Sequence, residues 1–154
     1  MSYKHYWEDF KVGERVRLGS KRVTREEIVE FATRYDPQPF HVDEAAARNS
    51  IYGGLIASGW HTGAMVMRMM CDAYLLEAAS MGSPGLDSLK WLKPVRPDDR
   101  ITTYRTTLES RGSRSRPEMG IVKFFWEVLN QDDELVMSME GYELFARRDP
   151  GEPG

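Results

Sequence analysis

Apolar residues follow two periods along this chain, a helical one up to about residue 80 and a two-residue one beyond it. In the first half, Ile28, Val29, Phe31 and Ala32 form one helix face. Thr24 and Glu27 precede that face with the spacing of a capping box, in which each side chain satisfies a backbone N–H of the other residue. The helix is predicted to end near Arg34. Pro37 and Pro39 remove donors and disfavour helix in the residues before them, so 35–41 is expected as a stiff, extended loop. Asp43 is placed to cap a short helix through Ala45, Ala46 and Ala47, and Gly53-Gly54 breaks the chain after it. A long helix is predicted over 59–79, where Met65, Val66, Met69, Met70, Leu75 and Leu76 spread over most of the circumference. Such a helix belongs at the centre of a domain, with other structure wrapped around it.

Beyond the turn Ser83-Pro84-Gly85 the pattern predicts strands at 86–95, 100–110, 120–130 and 135–146. Val122, Phe124, Trp126 and Val128 alternate with Lys123 and Glu127, and the polar run Gln131-Asp132-Asp133-Glu134 reads as a hairpin turn. One buried helix and several long antiparallel strands make an α+β domain whose sheet curls around the helix.

Composition narrows the picture. At 154 residues with 41% hydrophobic residues, the chain has the size of one domain with a core of its own. A net charge near −3, with both signs mixed along the chain, argues against the basic surface that nucleic-acid binding requires. The most apolar region carries His61, Arg68, Asp72 and Glu77, too many polar groups for a simple membrane span, so no membrane association is expected. The first ten residues, rich in charges and aromatics, lack the continuous apolar stretch of a secretory signal. The single Cys71 has no partner for a disulfide or a zinc site, and a reducing, cytoplasmic setting is the expectation. Only 147–154 has a disordered composition, and we expect one domain over 1–148 with a flexible tail over 149–154.

Of the three histidines, His41 follows Asp36 by five positions inside the proline-stiffened run Asp36-Pro37-Gln38-Pro39-Phe40-His41. A carboxylate and an imidazole on one stiff loop bring two proton-handling groups within reach of one water. Local pattern leaves a second reading open, in which Asp36 caps a turn and His41 packs in the core. A second feature is Leu55-Ile56-Ala57-Ser58-Gly59, a small-residue turn feeding the start of the long helix. Free backbone amides collect at such a start and can hold an oxygen that becomes anionic, and Gly59 lets a ligand come close; tight packing around the helix would use the glycine equally.

These two stretches together, Tyr35 to Asp43 and Gly53 to Gly59, resemble the hydratase motif of the MaoC-like dehydratases, which include the (R)-specific enoyl-CoA hydratases. The resemblance covers nearly the whole chain: Trp7 to Gly13 is similar to the family's entry strand, and Trp91 to Asp99 to its strand and turn near the middle. It implies a hotdog fold, an antiparallel sheet around a long central helix. It also implies reversible addition of water to an acyl group carried as a coenzyme A thioester, without a metal or redox cofactor. Asp36 would be the main general base, His41 its partner, and the Gly59 amide the oxyanion donor, with Ser58 and Gln38 beside the substrate. Gln38 stands where the family usually has asparagine, and Ser58 where a histidine commonly precedes the glycine. A homodimer or an assembly of dimers is the implied state. Two other readings stay open: a thioesterase on the same fold, and a non-catalytic acyl-thioester binding subunit. Arg111, Arg114 and Arg116 are candidates for coenzyme A phosphates but read more simply as a solvated hairpin tip; His61 and Cys71 read as structural.

Overall fold

Side-chain caps and prolines set the helices of the first half. The computed structural model describes residues 2–150. Helix α1 (Arg25–Tyr35) starts at the expected residue, with the Glu27 N–H donated to the Thr24 hydroxyl at 3.2 Å, but the return half of the expected box is not made: the Glu27 carboxylate accepts from Lys21 at 2.9 Å instead. It continues one residue past the expected end, to the residue before Asp36. The expected extended loop is tighter than predicted. Pro39, preorganised for the first helical position, opens a single helical turn, α2 (Pro39–Val42). Asp43 then caps α3 (Glu44–Arg48), accepting from the amides of Ala45 and Ala46.

The long helix α4 (Gly59–Ala73) is shorter than the apolar pattern suggested. Tyr74 departs from helical geometry at φ −154°, and the chain turns at Leu75–Glu77, so Leu76 is exposed rather than part of a buried face. One side of α4 is buried, through His61, Thr62, Met65, Val66, Met69 and Met70, while Trp60 and Met67 face outward.

Five antiparallel strands form the sheet, β1 (Arg15–Arg22), β2 (Gly85–Trp91), β3 (Arg100–Gly112), β4 (Met119–Leu129) and β5 (Leu135–Ala146), in the order β1-β3-β4-β5-β2. The pattern missed β1. Its sequence RVRLGSKR places basic residues through an edge strand, a composition that blunts an edge and hides the alternation. The expected entry strand at Trp7 to Gly13 is instead a helical turn, Trp7–Asp9, held by the Tyr6 N–H bonded to the Asp9 carboxylate at 2.9 Å. Register irregularities at Arg17/Gly19, Leu86/Ser88 and Thr107/Glu109 bend the strands, and the sheet curls around α4.

The inner face is the one the alternation predicted: Val122, Phe124, Trp126 and Val128 are buried to 1% exposure or less. Phe10 stacks on Phe145 at 4.3 Å and meets Phe124 edge-on at 5.6 Å. Rings sealed this way typically contribute roughly 3–5 kcal/mol each against truncation to alanine. The hairpin after β4 turns where expected, with Asp133 at φ 58° and the Asn130 carboxamide oxygen accepting from the amides of Asp132 and Glu134. Arg148, the last residue of the expected domain, and Asp149, the first of the expected tail, donate their backbone N–H groups to Glu8, and 151–154 of that tail lie outside the described residues. No helix of the described residues is long and apolar enough to cross a membrane.

Candidate active site

Two prolines position the acid and the imidazole. Each forces the residue before it out of helical geometry: Asp36 sits at φ −153° and Gln38 at ψ 142°. Asp36 therefore ends α1, its own N–H still bonded to the Ala32 carbonyl, and its side chain turns inward. The α2 turn then carries His41 into the interior at 5% exposure, where its Nδ1–H donates to the Ile56 carbonyl at 2.8 Å. A carbonyl only accepts, so Nδ1 bears the proton and Nε2 is left facing Asp36 Oδ2, 3.3 Å away. The two side chains that the sequence singled out are thus brought together.

The Ile56 carbonyl is itself fixed. The Ile56 N–H reaches the Phe40 carbonyl at 3.3 Å and the Ala57 N–H reaches the Val95 carbonyl at 2.8 Å, pinning the small-residue turn between α2 and the segment before β3. At its end stands Ser58, the residue before α4. A serine there ordinarily accepts from a first-turn amide. Here it makes no such cap, and its hydroxyl donates to Asp36 Oδ2 at 2.7 Å. Two consequences follow from that one choice. The first-turn amides of α4, beginning with Gly59, keep no side-chain acceptor, and the carboxylate gains a donor. Gln38 supplies another, from Nε2 to Oδ1 at 2.7 Å. Burial acts to raise the Asp36 carboxyl, but the bonds from Ser58 and Gln38 and the neighbouring His41 outweigh it and hold it below its ordinary value.

A cavity of about 500 Å³ opens against these groups, lined by Asp36, Gln38, His41 and Gly59, with Phe40, Tyr52, Ile56 and Val136 as apolar wall. Its size and mixed lining suit a small organic ligand. Ser58 lies outside it at 0% exposure. The expectation of Ser58 beside the substrate is therefore revised, because a hydroxyl sealed from solvent and donated to a carboxylate acts through that carboxylate. Trp91 is a residue to which the sequence reading gave no role at the site. Its indole N–H donates to the Gly59 carbonyl at 3.0 Å, and its ring lies so close over Gly59 that an added Cβ would come within 2.4 Å. Only glycine fits there. No sequence signal pairs these residues, since they lie 32 positions apart and meet through the β2–β5 register.

The remaining candidates fall elsewhere. His61 stacks on Phe31 at 4.8 Å, away from the cavity, and burial holds it below its ordinary pKa despite Glu27 at 3.9 Å. Cys71 is half-buried on α4. Arg111 lies at the end of β3 and Arg114 and Arg116 on the turn joining it to β4, next to where Met119 pairs with Ala146. Val136, in the cavity wall, is ten residues of β5 away from Ala146, roughly 33 Å at the usual rise.

Comparison with known proteins identifies the family and the fold. A family model described as the MaoC like domain matches residues 9–123. The crystal structure of the MaoC-like dehydratase from Rhodospirillum rubrum superposes with a TM-score of 0.84 at 38% identity, covering 94% of this chain and 99% of that one. The uncharacterized protein YdeM of Bacillus subtilis is 29% identical over 140 residues, which is 91% of this chain and 98% of YdeM. The unliganded (R)-hydratase PhaJ1 from Pseudomonas aeruginosa has a TM-score of 0.75 at 20% identity over 94% of this chain and 86% of its own, a likeness of fold. With the matching model spanning most of the chain, and the curled sheet around α4 being the hotdog fold, this chain belongs to the MaoC-like dehydratase family.

Proposed function

We propose that this chain catalyses the reversible addition of water to a 2-enoyl thioester of coenzyme A, giving the 3-hydroxyacyl thioester. One observation carries the reading: Asp36 Oδ2 and His41 Nε2 converge at 3.3 Å on the wall of a cavity that also receives the uncapped start of α4. A water held between the two side chains would lose a proton to Asp36 while its oxygen bonds to the β-carbon. The double-bond electrons move onto the thioester oxygen, where the Gly59 N–H and the positive end of α4 stabilise the charge, and the proton is then delivered to the α-carbon. Dehydration is the same path reversed. A depressed pKa keeps Asp36 ionised and ready to accept. Its bonds from Ser58 to Oδ2 and from Gln38 to Oδ1 fix the carboxylate that does so, which we assign as the task of those two residues. The reaction shifts one oxygen and two protons and draws on no redox group or metal.

We also take the working unit to be a dimer. Strand β2 is at the sheet edge with Leu86 and Trp91 exposed, Leu92 follows it exposed, and Trp60 of α4 meets Trp91 edge-on at 5.1 Å, an apolar border next to the cavity that a second copy would cover. The test of the activity is crotonyl-CoA, followed both at the enoyl chromophore and by free-thiol release. Loss of the chromophore without thiol is the expected result. Thiol release without hydration would establish the thioesterase instead, and neither signal, with tight binding, the binding subunit.

A further inference from the structure

A second cleft, of about 340 Å³, opens next to the catalytic cavity, with Arg25, Glu44, Arg48, Gly54, Arg96 and Asp98 in its walls. The two acids are already neutralised, Glu44 by Arg25 and Asp98 by Arg22. Arg48 and Arg96 form no ion pair among the described residues. In a chain of net charge −3, that leaves two surplus guanidinium groups facing one opening. Arg96 is also held in place. One of its N–H groups donates to the Tyr52 carbonyl at 2.6 Å, and Nη1 lies against Gly54, so the rest of the fork stays available toward the cleft.

Position ties this cleft to the catalytic one. Tyr52 and Val95 line the first cavity; Gly54 and Arg96, two and one residues further on, line the second. The two openings therefore share the same two stretches of backbone, and a ligand with its reactive end at His41 can run past Tyr52 into the cleft. We infer that this cleft receives the phosphates of the nucleotide end of coenzyme A, held by Arg48 and Arg96. The inference rests on the hydratase reading above. Guanidinium forks match phosphate oxygens in geometry as well as charge. It gives the phosphates a site near the reacting groups, whereas the hairpin arginines lie at the far end of β5 and Arg116 is already paired with Glu118 at 2.8 Å.

The experiment compares crotonyl-CoA with crotonyl-pantetheine, which has the same acyl group and no phosphate, in wild type, Arg48→Gln and Arg96→Gln. Each variant should raise KM for crotonyl-CoA about tenfold with kcat unchanged, the worth of one charge-assisted contact, and leave KM for crotonyl-pantetheine alone. Added salt should raise the wild-type KM for the CoA ester and affect the variants less. Arg48 is exposed and unpaired, so its variant tests the site even if loss of the Arg96 bond to Tyr52 disturbs the fold. An equal KM rise on both thioesters, or none on either, overturns the inference. If wild type hydrates neither ester, the proposed function falls instead. Calorimetric binding of free coenzyme A then decides the cleft: retained affinity that both variants lose supports it, and no binding, or binding unchanged in the variants, rejects it.

Discussion

Helix α4 has a carboxylate–hydroxyl pair at each end, and the two behave in opposite ways. At its start, Ser58 donates to Asp36 at 2.7 Å; just past its end, Tyr74 donates to Glu143 at 3.0 Å. Asp36 has Gln38 and His41 as further partners and one edge on an open cavity, and its carboxyl is held down. Glu143 is 5% exposed, its Oε2 has no hydrogen-bond partner among the described residues, and burial pushes its carboxyl up to about 7, against the Tyr74 bond and the Arg105 charge. Burial likewise pushes the Tyr74 hydroxyl well above its ordinary value. Arg105, which lies over the Tyr74 ring at 4.4 Å, sends its nearest charge contact to Glu14 at 3.5 Å. One hydroxyl does not offset the cost of burying a carboxylate; a second donor and access to solvent do.

The sharpest way to break this contrast is to neutralise each acid in turn. Asp36→Asn, and separately His41→Ala, should lower kcat/KM for crotonyl-CoA by on the order of 1000-fold while Glu143→Gln leaves it unchanged, measured by steady-state kinetics. Equal losses at both ends of α4 would erase the distinction. The next effect is on stability. Folded Glu143 keeps its proton up to a pH of about 7, whereas the unfolded residue releases it near 4.5, so its contribution is full below pH 4.5 and is lost as pH rises to 7. Glu143→Gln should therefore be more stable than wild type at pH 8 by about 3 kcal/mol and nearly equal to it at pH 4, as read from urea melts. Ser58→Ala, which removes a donor from Asp36, should cut kcat/KM about tenfold and move the acid limb of the pH profile upward. Smallest of all, Tyr74→Phe strips Glu143 of its one hydroxyl donor and should cost about 1 kcal/mol at pH 8, and less at pH 5, with activity retained.

The sequence by itself determined the class of fold and singled out the two side chains, Asp36 and His41, that meet at the cavity. Alternation along Val122 to Val128, the Thr24 cap on the Glu27 amide, and the exclusion of helix from the residues before Pro37 and Pro39 are local rules, enforced by sterics and backbone hydrogen bonding within a few residues, and the structure keeps each of them. Where a local rule was outvoted, the cause was a partner distant in the chain. The long helix stops at Ala73, where Tyr74 leaves helical geometry and its hydroxyl meets Glu143, 69 residues away. Ser58 gives up its cap for Asp36, 22 residues back, and Trp91 covers Gly59 only because β2 is laid along β5. Arg48 and Arg96 likewise meet at one cleft only after the chain has turned back on itself. Hydrogen-bond donors and charges act over a few ångströms of space, and spacing along a sequence does not say which distant groups folding will bring within that range.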